Sequence, residues 1–253
     1  MLKVNVYSNN FLFIKVIKKF FIIKNVFSDK PFNHKFKEFC KTELINFNYV
    51  IHKKNLKISF VNNIDLGLSF GFGLIFNENY IKQFKYGIWN FHTGDLPKYR
   101  GRHPITWAFL NDEKRIALSI HSINQKIDQG NLIHKYFVKR TYYDDENSIL
   151  DKIAKKFYTE IPKAIKNFFS NNIKKLSKGT YYPSLIQGIK KIESKKTNSI
   201  YAYNAAKAQK THSGIQVDEH FYKDAFFFKK DLKIKNSQTI KFKDNKKLIL
   251  LKK

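Results

Sequence analysis

The sequence predicts an α/β protein with a doubly wound, mostly parallel sheet and a small C-terminal region rich in strands. Three observations support this prediction. Over the first 92 residues, short apolar segments alternate with segments of helical spacing, which is typical of parallel strands joined by crossover helices. Residues 146–171 carry a long amphipathic pattern, and residues 226–253 alternate apolar side chains with lysines as strands do.

The first half of the chain supplies the core of the predicted sheet. Residues 2–7 alternate apolar and polar side chains, and the polar turn at 8–10 is typical of a helix cap. The order of strand and then helix recurs twice before residue 92. The predicted elements are strands at Leu2–Tyr7, Phe21–Phe27, Leu66–Phe70 and Ile88–His92, and helices at Phe11–Phe20, near Phe36–Phe47 and near Asn77–Phe84. This order predicts a Rossmann-like sheet with helices on both faces.

The second half of the chain is predicted to divide near Gly179. Residues 146–171 have apolar side chains every three or four positions with lysines between them, which predicts one helix covering a face of the sheet. Residues 180–183 then form a short extended segment, and residues 226–253 are expected to form two or three strands. We therefore expect a main domain at 1–179 and a small C-terminal region at 180–253.

The chain is strongly basic, with a formal charge of +28 and a pI near 9.9, as is typical of proteins that bind polyanions. Its lysines, however, are spread along the whole chain together with many phenylalanines, asparagines and isoleucines, as translation of an AT-rich genome would produce. The arginines are more informative, because a guanidinium can bind a phosphate or carboxylate through two hydrogen bonds. They are Arg100, Arg102, Arg115 and Arg140.

Cys40 is the only cysteine, which excludes an intrachain disulfide and a cysteine-based zinc site. A reducing, cytoplasmic location is therefore expected. Residues 11–27 are apolar, but four lysines interrupt them and no small-residue cleavage site follows, so we expect no membrane insertion. The chain also lacks a His-Glu-x-x-His motif, which favours a mechanism without a metal.

Two segments carry residues typical of catalysis. Asn90 and His92 end an apolar strand, and a turn-rich sequence follows as far as Gly101. Farther on, Asp128 lies in a loop after a second apolar segment. If the two segments are neighbouring strands, the amide, the imidazole and the carboxylate converge in one cleft. Singly, His92 could be an ordinary turn histidine and Asp128 a loop cap, so the combination carries the prediction.

This combination resembles the folate-dependent formyltransferase family, which includes methionyl-tRNA formyltransferase, glycinamide ribonucleotide transformylase and the sugar N-formyltransferases. The resemblance rests on Asn-x-His at 90–92, Leu-Pro-x-Tyr-Arg-Gly at 96–101 and Ile-Asp-x-Gly at 127–130, and it extends from about Asp65 to Phe169. It implies a catalytic domain at 1–179. It also implies direct transfer of a formyl group from 10-formyltetrahydrofolate to an amine, without a metal or a covalent enzyme intermediate.

The resemblance assigns a role to each of three residues. Acyl transfer to an amine requires removal of a proton from the nucleophile, stabilisation of an oxyanion and protonation of the leaving nitrogen. The family's mechanism implies that His92 takes the amine proton, that Asp128 orients the imidazole and stabilises its cation, and that Asn90 donates to the oxyanion.

The resemblance also implies binding residues. The pterin ring of the donor is expected between the loop after Leu66–Phe70 and the loop at 124–128; without the resemblance, Gly-x-Gly at 71–73 indicates only a strand with a bulge. Arg100 could instead bind carbonyls of its own loop, and packing is the commoner role for Tyr182. The expected donor-binding residues are Phe72, Gly73, Leu74, Ile75, Asn124 and Ile127, and the expected substrate-binding residues are Arg100 and Tyr182.

Three acceptors compete. Residues 7–10 lack the glycines of a phosphate cradle, which disfavours glycinamide ribonucleotide. Methionyl-tRNA formyltransferases are usually longer, with Ser-Leu-Leu-Pro where this chain has Thr-Gly-Asp-Leu-Pro at 93–97. A nucleotide-linked amino sugar is therefore expected as the substrate, in lipopolysaccharide or O-antigen biosynthesis. Methionyl-tRNA is the alternative that the basic charge favours.

Two further questions concern activity and assembly. A catalytically inactive relative that binds folate or nucleic acid as a module is disfavoured by the intact residues Asn90, His92 and Asp128. Lysine-rich strands at the C-terminus could pair across subunits, so a homodimer stays open.

Overall fold

The computed structural model describes residues 1–30, 34–50, 52, 56–185, 189 and 191–253. The chain groups into two compact units, each drawn from separate parts of the sequence. Unit 1 comprises Met1–Arg100, Leu118–Tyr136 and Ala154–Gly179, and unit 2 comprises Gly101–Ala117, Phe137–Ile153 and Thr180–Lys253. The C-terminal region thus falls within unit 2, and a domain boundary near Gly179 stays a prediction.

The elements described follow in chain order. The strands are β1 (Lys3–Ser8), β2 (Ile22–Ser28), β3 (Asn46–Tyr49), β4 (Leu66–Phe70), β5 (Ile88–His92), β6 (Arg100–Gly101), β7 (Arg115–Ser122), β8 (Leu132–Lys139), β9 (Tyr181–Tyr182), β10 (Ile215–Val217), β11 (His220–Phe227), β12 (Ser237–Lys241) and β13 (Lys247–Lys252). The helices are α1 (Phe11–Ile17), α2 (His34–Thr42), α3 (Glu78–Ile81), α4 (Pro104–Leu110), α5 (Glu146–Lys155), α6 (Phe157–Phe169) and α7 (Ser199–Gln209).

A seven-stranded sheet has the order β3-β2-β1-β4-β5-β7-β8. Strands β1 to β5 are parallel, and β7 is antiparallel to β5. The order reverses at β1, because β2 and β3 extend to one side and β4 begins the other. A second sheet, β10-β11-β13-β12, belongs to unit 2. The predicted fold class, a doubly wound, mostly parallel sheet with a C-terminal β-rich region, is confirmed.

Two helix predictions need correction. The helix predicted near Phe36–Phe47 ends at Thr42, and residues Asn46–Tyr49 form the edge strand β3 instead. There, asparagines alternate with aromatic residues, and this period of two is that of a strand. The single helix predicted at 146–171 is two helices that meet at Lys156. Apolar spacing continues through both helices, so periodicity could not locate the break.

Unit 2 contains a helix that the sequence pattern did not predict. In α7, the residues from Ala202 to Gln209 are buried, including Lys207, whose Nζ lies 2.7 Å from Asp224 Oδ1. A helix buried on all sides has no polar stripe, so no amphipathic period marks it.

An aromatic cluster in unit 1 supports the loop that follows β4. Tyr7 of β1 stacks on Phe27 of β2 at 4.8 Å and meets Phe76 edge-on, also at 4.8 Å. The Tyr7 and Tyr80 hydroxyls share a hydrogen bond of 2.7 Å, and burial raises the pKa of Tyr80 to about 12. Both hydroxyls therefore stay neutral, and the cluster forms a rigid packing surface under the residues after β4.

In the described part of the chain, no helix is long and apolar enough to cross a membrane.

Candidate active site

Two neighbouring strands place four polar side chains on one face of the sheet. Strands β5 and β7 pair with Asn90 opposite His121 and His92 opposite Ser119. Directly paired residues point to the same face, as do residues two apart along one strand. The two segments that carry the sequence motifs are therefore adjacent, as expected.

The loop after β7 brings Asp128 to these side chains. Its carboxylate is 10% exposed, with Oδ2 3.7 Å from His92 Nδ1 and Oδ1 3.5 Å from Asn90 Nδ2. Asp128 has a left-handed φ of +52°, and a Cβ atom on Gly130 would lie 1.6 Å from the Ser122 carbonyl oxygen, so only glycine allows this path. The three residues predicted to be catalytic are thus brought together, and their catalytic roles stay predictions.

His92 is held in a defined protonation state. Its Nε2 lies 2.5 Å from the Tyr99 carbonyl oxygen. A carbonyl can only accept, so Nε2 carries the hydrogen and Nδ1 is the basic nitrogen that faces Asp128. Burial lowers the pKa of His92, and the opposing attraction of the Asp128 carboxylate is the smaller effect. At neutral pH the imidazole is therefore a free base, as a proton acceptor needs to be.

A second histidine, to which the sequence analysis assigned no role, completes the cluster. His121 Nδ1 donates to the Ser122 carbonyl at 2.8 Å, which leaves Nε2 facing Asn90 Nδ2 at 3.3 Å and Asp128 Oδ1 at 3.4 Å. An imidazole lone pair and a carboxylate oxygen repel each other at this distance. The Asn90 amide lies between them, because its two hydrogens can point toward His121 Nε2 and Asp128 Oδ1. No local sequence signal marks His121, because its place in the cluster depends on the pairing of β7 with β5.

The turn after β5 is fastened by side chains rather than by regular structure. Ser119 Oγ donates to the Gly94 carbonyl at 2.7 Å and accepts from the Leu96 N–H at 3.2 Å. Lys135 Nζ binds Asp95 Oδ1 at 2.6 Å and the Leu96 carbonyl at 2.9 Å. These bonds fix the segment that delivers the Tyr99 carbonyl to His92.

Arg100 extends the same support. Its Nη2 donates to the Gly179 carbonyl at 2.9 Å. Arg100 thus binds a backbone carbonyl, which was the alternative to a role in binding substrate. Its Nε is buried without a hydrogen-bond partner. A role in binding substrate stays a prediction.

The residues expected to bind the donor lie on two loops of unit 1. Phe72 and Leu74 pack on the aromatic cluster under the loop after β4, and Ile123 of the other loop packs on the same cluster. The Gln125 amide also binds the Glu78 carboxylate, which joins the second loop to α3. The remaining positions are more open: Ile75 is 63% and Ile127 is 45% exposed, Gly73 is exposed, and Asn124 Oδ1 accepts from the Lys126 N–H at 2.9 Å.

A family model described as formyl transferase matches residues 30–165, which is more than half of the chain. The chain belongs to the formyl transferase family. The family resemblance seen in the motifs is thereby confirmed.

The chain matches only part of the length of two curated relatives. The bifunctional polymyxin resistance protein ArnA of Wigglesworthia glossinidia brevipalpis is 30% identical over 125 residues, which cover 49% of this chain and 18% of that protein. The methionyl-tRNA formyltransferase of Prochlorococcus marinus (strain AS9601) is 28% identical over 151 residues, 56% of this chain and 46% of that protein. The chain thus spans less than half the length of these two relatives.

A solved structure matches the whole chain. The N-formyltransferase from Helicobacter canadensis, in complex with folinic acid and dTDP-3-aminofucose, superposes with a TM-score of 0.74 at 20% identity, covering 100% of both chains. At this identity the likeness shows a shared fold.

Tyr182, the other residue expected to bind substrate, lies in unit 2 of this formyl transferase. Its ring centroid is 5.0 Å from that of Trp107, and its hydroxyl accepts from Asn111 Nδ2 at 3.2 Å. The Trp107 Nε1–H donates to the Pro183 carbonyl at 3.1 Å. The packing role of Tyr182 is observed, and a substrate contact stays a prediction.

Among the described residues, no group of His, Cys, Asp and Glu side chains is arranged to hold a metal ion.

Proposed function

We propose that this chain transfers a formyl group from 10-formyltetrahydrofolate to the amino group of a nucleotide-linked amino sugar. The observation that carries the proposal is the cluster of Asn90, His92 and Asp128, with a buried, neutral imidazole beside a carboxylate. It combines a base, a group that stabilises the protonated base and an amide donor, which are the parts that direct acyl transfer to an amine requires.

His92 performs the proton transfer. As the acceptor nitrogen bonds to the formyl carbon, His92 Nδ1 takes the proton that this nitrogen loses. The new imidazolium lies beside Asp128, whose negative charge stabilises it, while Tyr99 holds the opposite edge of the ring. The imidazolium then returns the proton to the nitrogen that leaves as the old carbon–nitrogen bond breaks. Protons balance over the cycle, and His92 ends neutral.

Asn90 stabilises the developing negative charge. Its Nδ2 carries two hydrogens and in this structure faces two acceptors at 3.3 and 3.5 Å, both longer than a strong hydrogen bond. The amide can therefore redirect a hydrogen to the formyl oxygen as that oxygen becomes negative.

The two loops of unit 1 suit a flat heterocycle. Ile75 and Ile127 expose large apolar side chains, and the space beside Gly71 is open. Exposed apolar groups beside a catalytic cluster are typical of ligand pockets. The residues present therefore fit a pterin ring, which would bring the formyl group that the donor supplies.

Two observations support a sugar acceptor. The superposition on an N-formyltransferase bound to dTDP-3-aminofucose covers both chains in full, whereas the matched methionyl-tRNA formyltransferase is covered over 46% of its length. In addition, the turn after β1, at residues 7–10, lacks the glycines that bring backbone donors close to a phosphate, which opposes a phosphoribosyl acceptor. The product would serve lipopolysaccharide or O-antigen assembly in the cytoplasm.

Methionyl-tRNA is the second candidate, favoured by the formal charge of +28. The deciding experiment measures tetrahydrofolate release from 10-formyltetrahydrofolate with a panel of nucleotide-linked amino sugars or with methionyl-tRNA, and with His92→Ala as the control. Turnover with a sugar that His92→Ala lacks supports the proposal. Turnover with methionyl-tRNA alone would make the tRNA, rather than a sugar, the acceptor. No turnover with any sugar or with the tRNA would overturn the proposed activity.

A further inference from the structure

A polar bridge connects the ends of two parallel strands to the loop expected to bind the donor. It consists of Asn9, which follows β1, and Asp29, which follows β2. Asp29 Oδ2 accepts from the Gly73 N–H at 2.6 Å, and Asp29 Oδ1 accepts from Asn9 Nδ2. Asn9 Nδ2 also donates to the Gly71 carbonyl at 3.1 Å. The two side chains thus hold the loop on both sides of Phe72.

The second strand fixes the bridge in one orientation. Ser28 Oγ donates to Asn9 Oδ1 at 2.6 Å, so the oxygen of the Asn9 amide is occupied and its nitrogen must face Asp29 and Gly71. The Asn9 nitrogen donates one hydrogen to Asp29 and the other to Gly71. Of the two Asp29 carboxylate oxygens, one accepts from Asn9 and the other from Gly73.

Glycines occupy both points where the bridge meets the loop. A Cβ atom on Gly73 would lie 2.7 Å from Asp29 Oδ2, and Gly71 has a left-handed φ of +64°. These exposed glycines have no side chains that could anchor the loop. Phe72 secures the apolar side by packing on Phe76 and Tyr7 at 5.8 and 5.5 Å. The backbone itself is held by the carboxylate and the amide.

We propose that Asp29 is a positioning residue that, through Asn9 and Gly73, sets the backbone of the loop at 71–75 and thereby the affinity for the formyl donor. This inference rests on the proposed function. The carboxylate is charged and both of its oxygens are used, so each bond is of the stronger, charge-assisted kind. It acts at the reversal point of the strand order, between β1 and β4, where sheets of this type bind ligands.

Steady-state kinetics of Asp29→Ala test the proposal. We expect the KM for 10-formyltetrahydrofolate to rise roughly tenfold, the effect of losing one hydrogen bond to a charged group, while kcat stays within about twofold. The conservative variant Asp29→Asn keeps an oxygen for the Gly73 N–H and should show a smaller rise. Direct binding of 5-formyltetrahydrofolate, measured by calorimetry, should weaken in the same order.

Asp65→Ala is the matched control. Asp65 Oδ2 also accepts a backbone N–H, from Lys3 at 2.8 Å, but at the opposite end of β4 from the donor loop. It should change the thermal unfolding midpoint about as much as Asp29→Ala and leave the KM unchanged. An unchanged KM in Asp29→Ala, or an equal rise in Asp65→Ala, overturns the positioning role while the proposed function stands. A wild-type protein that neither binds the folate nor releases tetrahydrofolate overturns both.

Discussion

Two polar clusters lie in the large sheet of unit 1, and they are built in opposite ways. Across β1, β2 and β3, the side chains of Asn5, Asn25 and Asn46 form a row at matching register, here called the asparagine row. Asn25 Nδ2 donates to Asn5 Oδ1 at 2.8 Å, Asn46 Nδ2 donates to Asn25 Oδ1 at 3.3 Å, and Asn5 Nδ2 donates to the Phe60 carbonyl at 2.9 Å. Asn5 and Asn25 are buried and Asn46 is exposed; the two buried amides find partners within the row and at Phe60, as buried polar groups in a stable core do.

In the proposed catalytic cluster of Asn90, His92, His121 and Asp128, the side chains pair loosely with one another. Its internal distances are 3.3 to 3.7 Å, and two imidazoles share one carboxylate. Because both contacts of the Asn90 amide are longer than a strong hydrogen bond, it can turn a donor toward a ligand, whereas Asn25 of the asparagine row donates to Asn5 at 2.8 Å. The comparison teaches that pairing quality, rather than burial or polarity, separates a structural network from a site.

The largest expected effect is that of His92→Ala. Because His92 is the only base proposed for the transfer, kcat should fall by on the order of a thousandfold, within the range of general-base catalysis. Binding of 5-formyltetrahydrofolate should persist, since the donor loops do not include His92. Rates are measured as tetrahydrofolate release at saturating substrates. Wild-type turnover in this variant would remove His92 from the mechanism.

Asn90→Ala should lower kcat by on the order of a hundredfold, which is the usual cost of losing one oxyanion donor. The readout is the rate constant with both substrates saturating, so that weakened binding does not contribute. An unchanged rate constant would eliminate Asn90 as the donor.

Asn25→Ala is the matched substitution in the asparagine row. It leaves Asn5 Oδ1 buried without its donor, so we expect a loss of about 1–3 kcal/mol in the free energy of unfolding, measured with denaturant. Turnover of the folded variant should equal that of the wild type. If Asn25→Ala lowered kcat as Asn90→Ala does, the contrast between the two clusters would be wrong.

A smaller effect is expected from His121→Gln. Glutamine keeps a polar group beside Asp128 but removes the imidazole nitrogen that faces Asn90 Nδ2 at 3.3 Å, so kcat should fall roughly tenfold, as for loss of one hydrogen bond that orients the Asn90 amide. A role limited to packing predicts a lower unfolding midpoint with unchanged kcat, and the two measurements together separate these cases.

Local patterns predicted much of this molecule. The buried strands Leu66–Phe70 and Ile88–His92 have the predicted bounds, because short apolar runs bounded by turn residues have few alternatives. The motifs located Asn90, His92 and Asp128, which the structure brings together. His121 could not be assigned from the sequence, since its relevance depends on which strand pairs with β5 and in which register.

The polar bridge of Asn9 and Asp29 could not be predicted from the sequence for the same reason. Asp29 and Gly73 are 44 residues apart, and no local period connects them. The helix α7 was missed for a different reason, because burial on every side removes the polar stripe by which helices are recognised. Contacts distant in sequence and elements without a solvent face are the parts that only the fold supplies.

The smallest expected effect is a shift in pH dependence, and its direction follows from the surroundings of His92. Burial lowers the pKa of His92 below its ordinary value of 6.5, so the free base persists into mildly acidic solution and kcat/KM should fall only below pH 6.5. The Asp128 carboxylate favours the imidazolium, so Asp128→Asn removes a raising influence and should move this acidic limb to still lower pH, in addition to reducing the rate. The unfolded chain accepts a proton at His92 near the ordinary value, whereas the folded protein resists it, so the free energy of unfolding should also decline as the pH falls through 6.5. Profiles of kcat/KM from pH 5 to 9, roughly the range in which histidine titrates, test the sign. If the acidic limb of the profile moved to higher pH in Asp128→Asn, the carboxylate would not act on the imidazole that takes the proton.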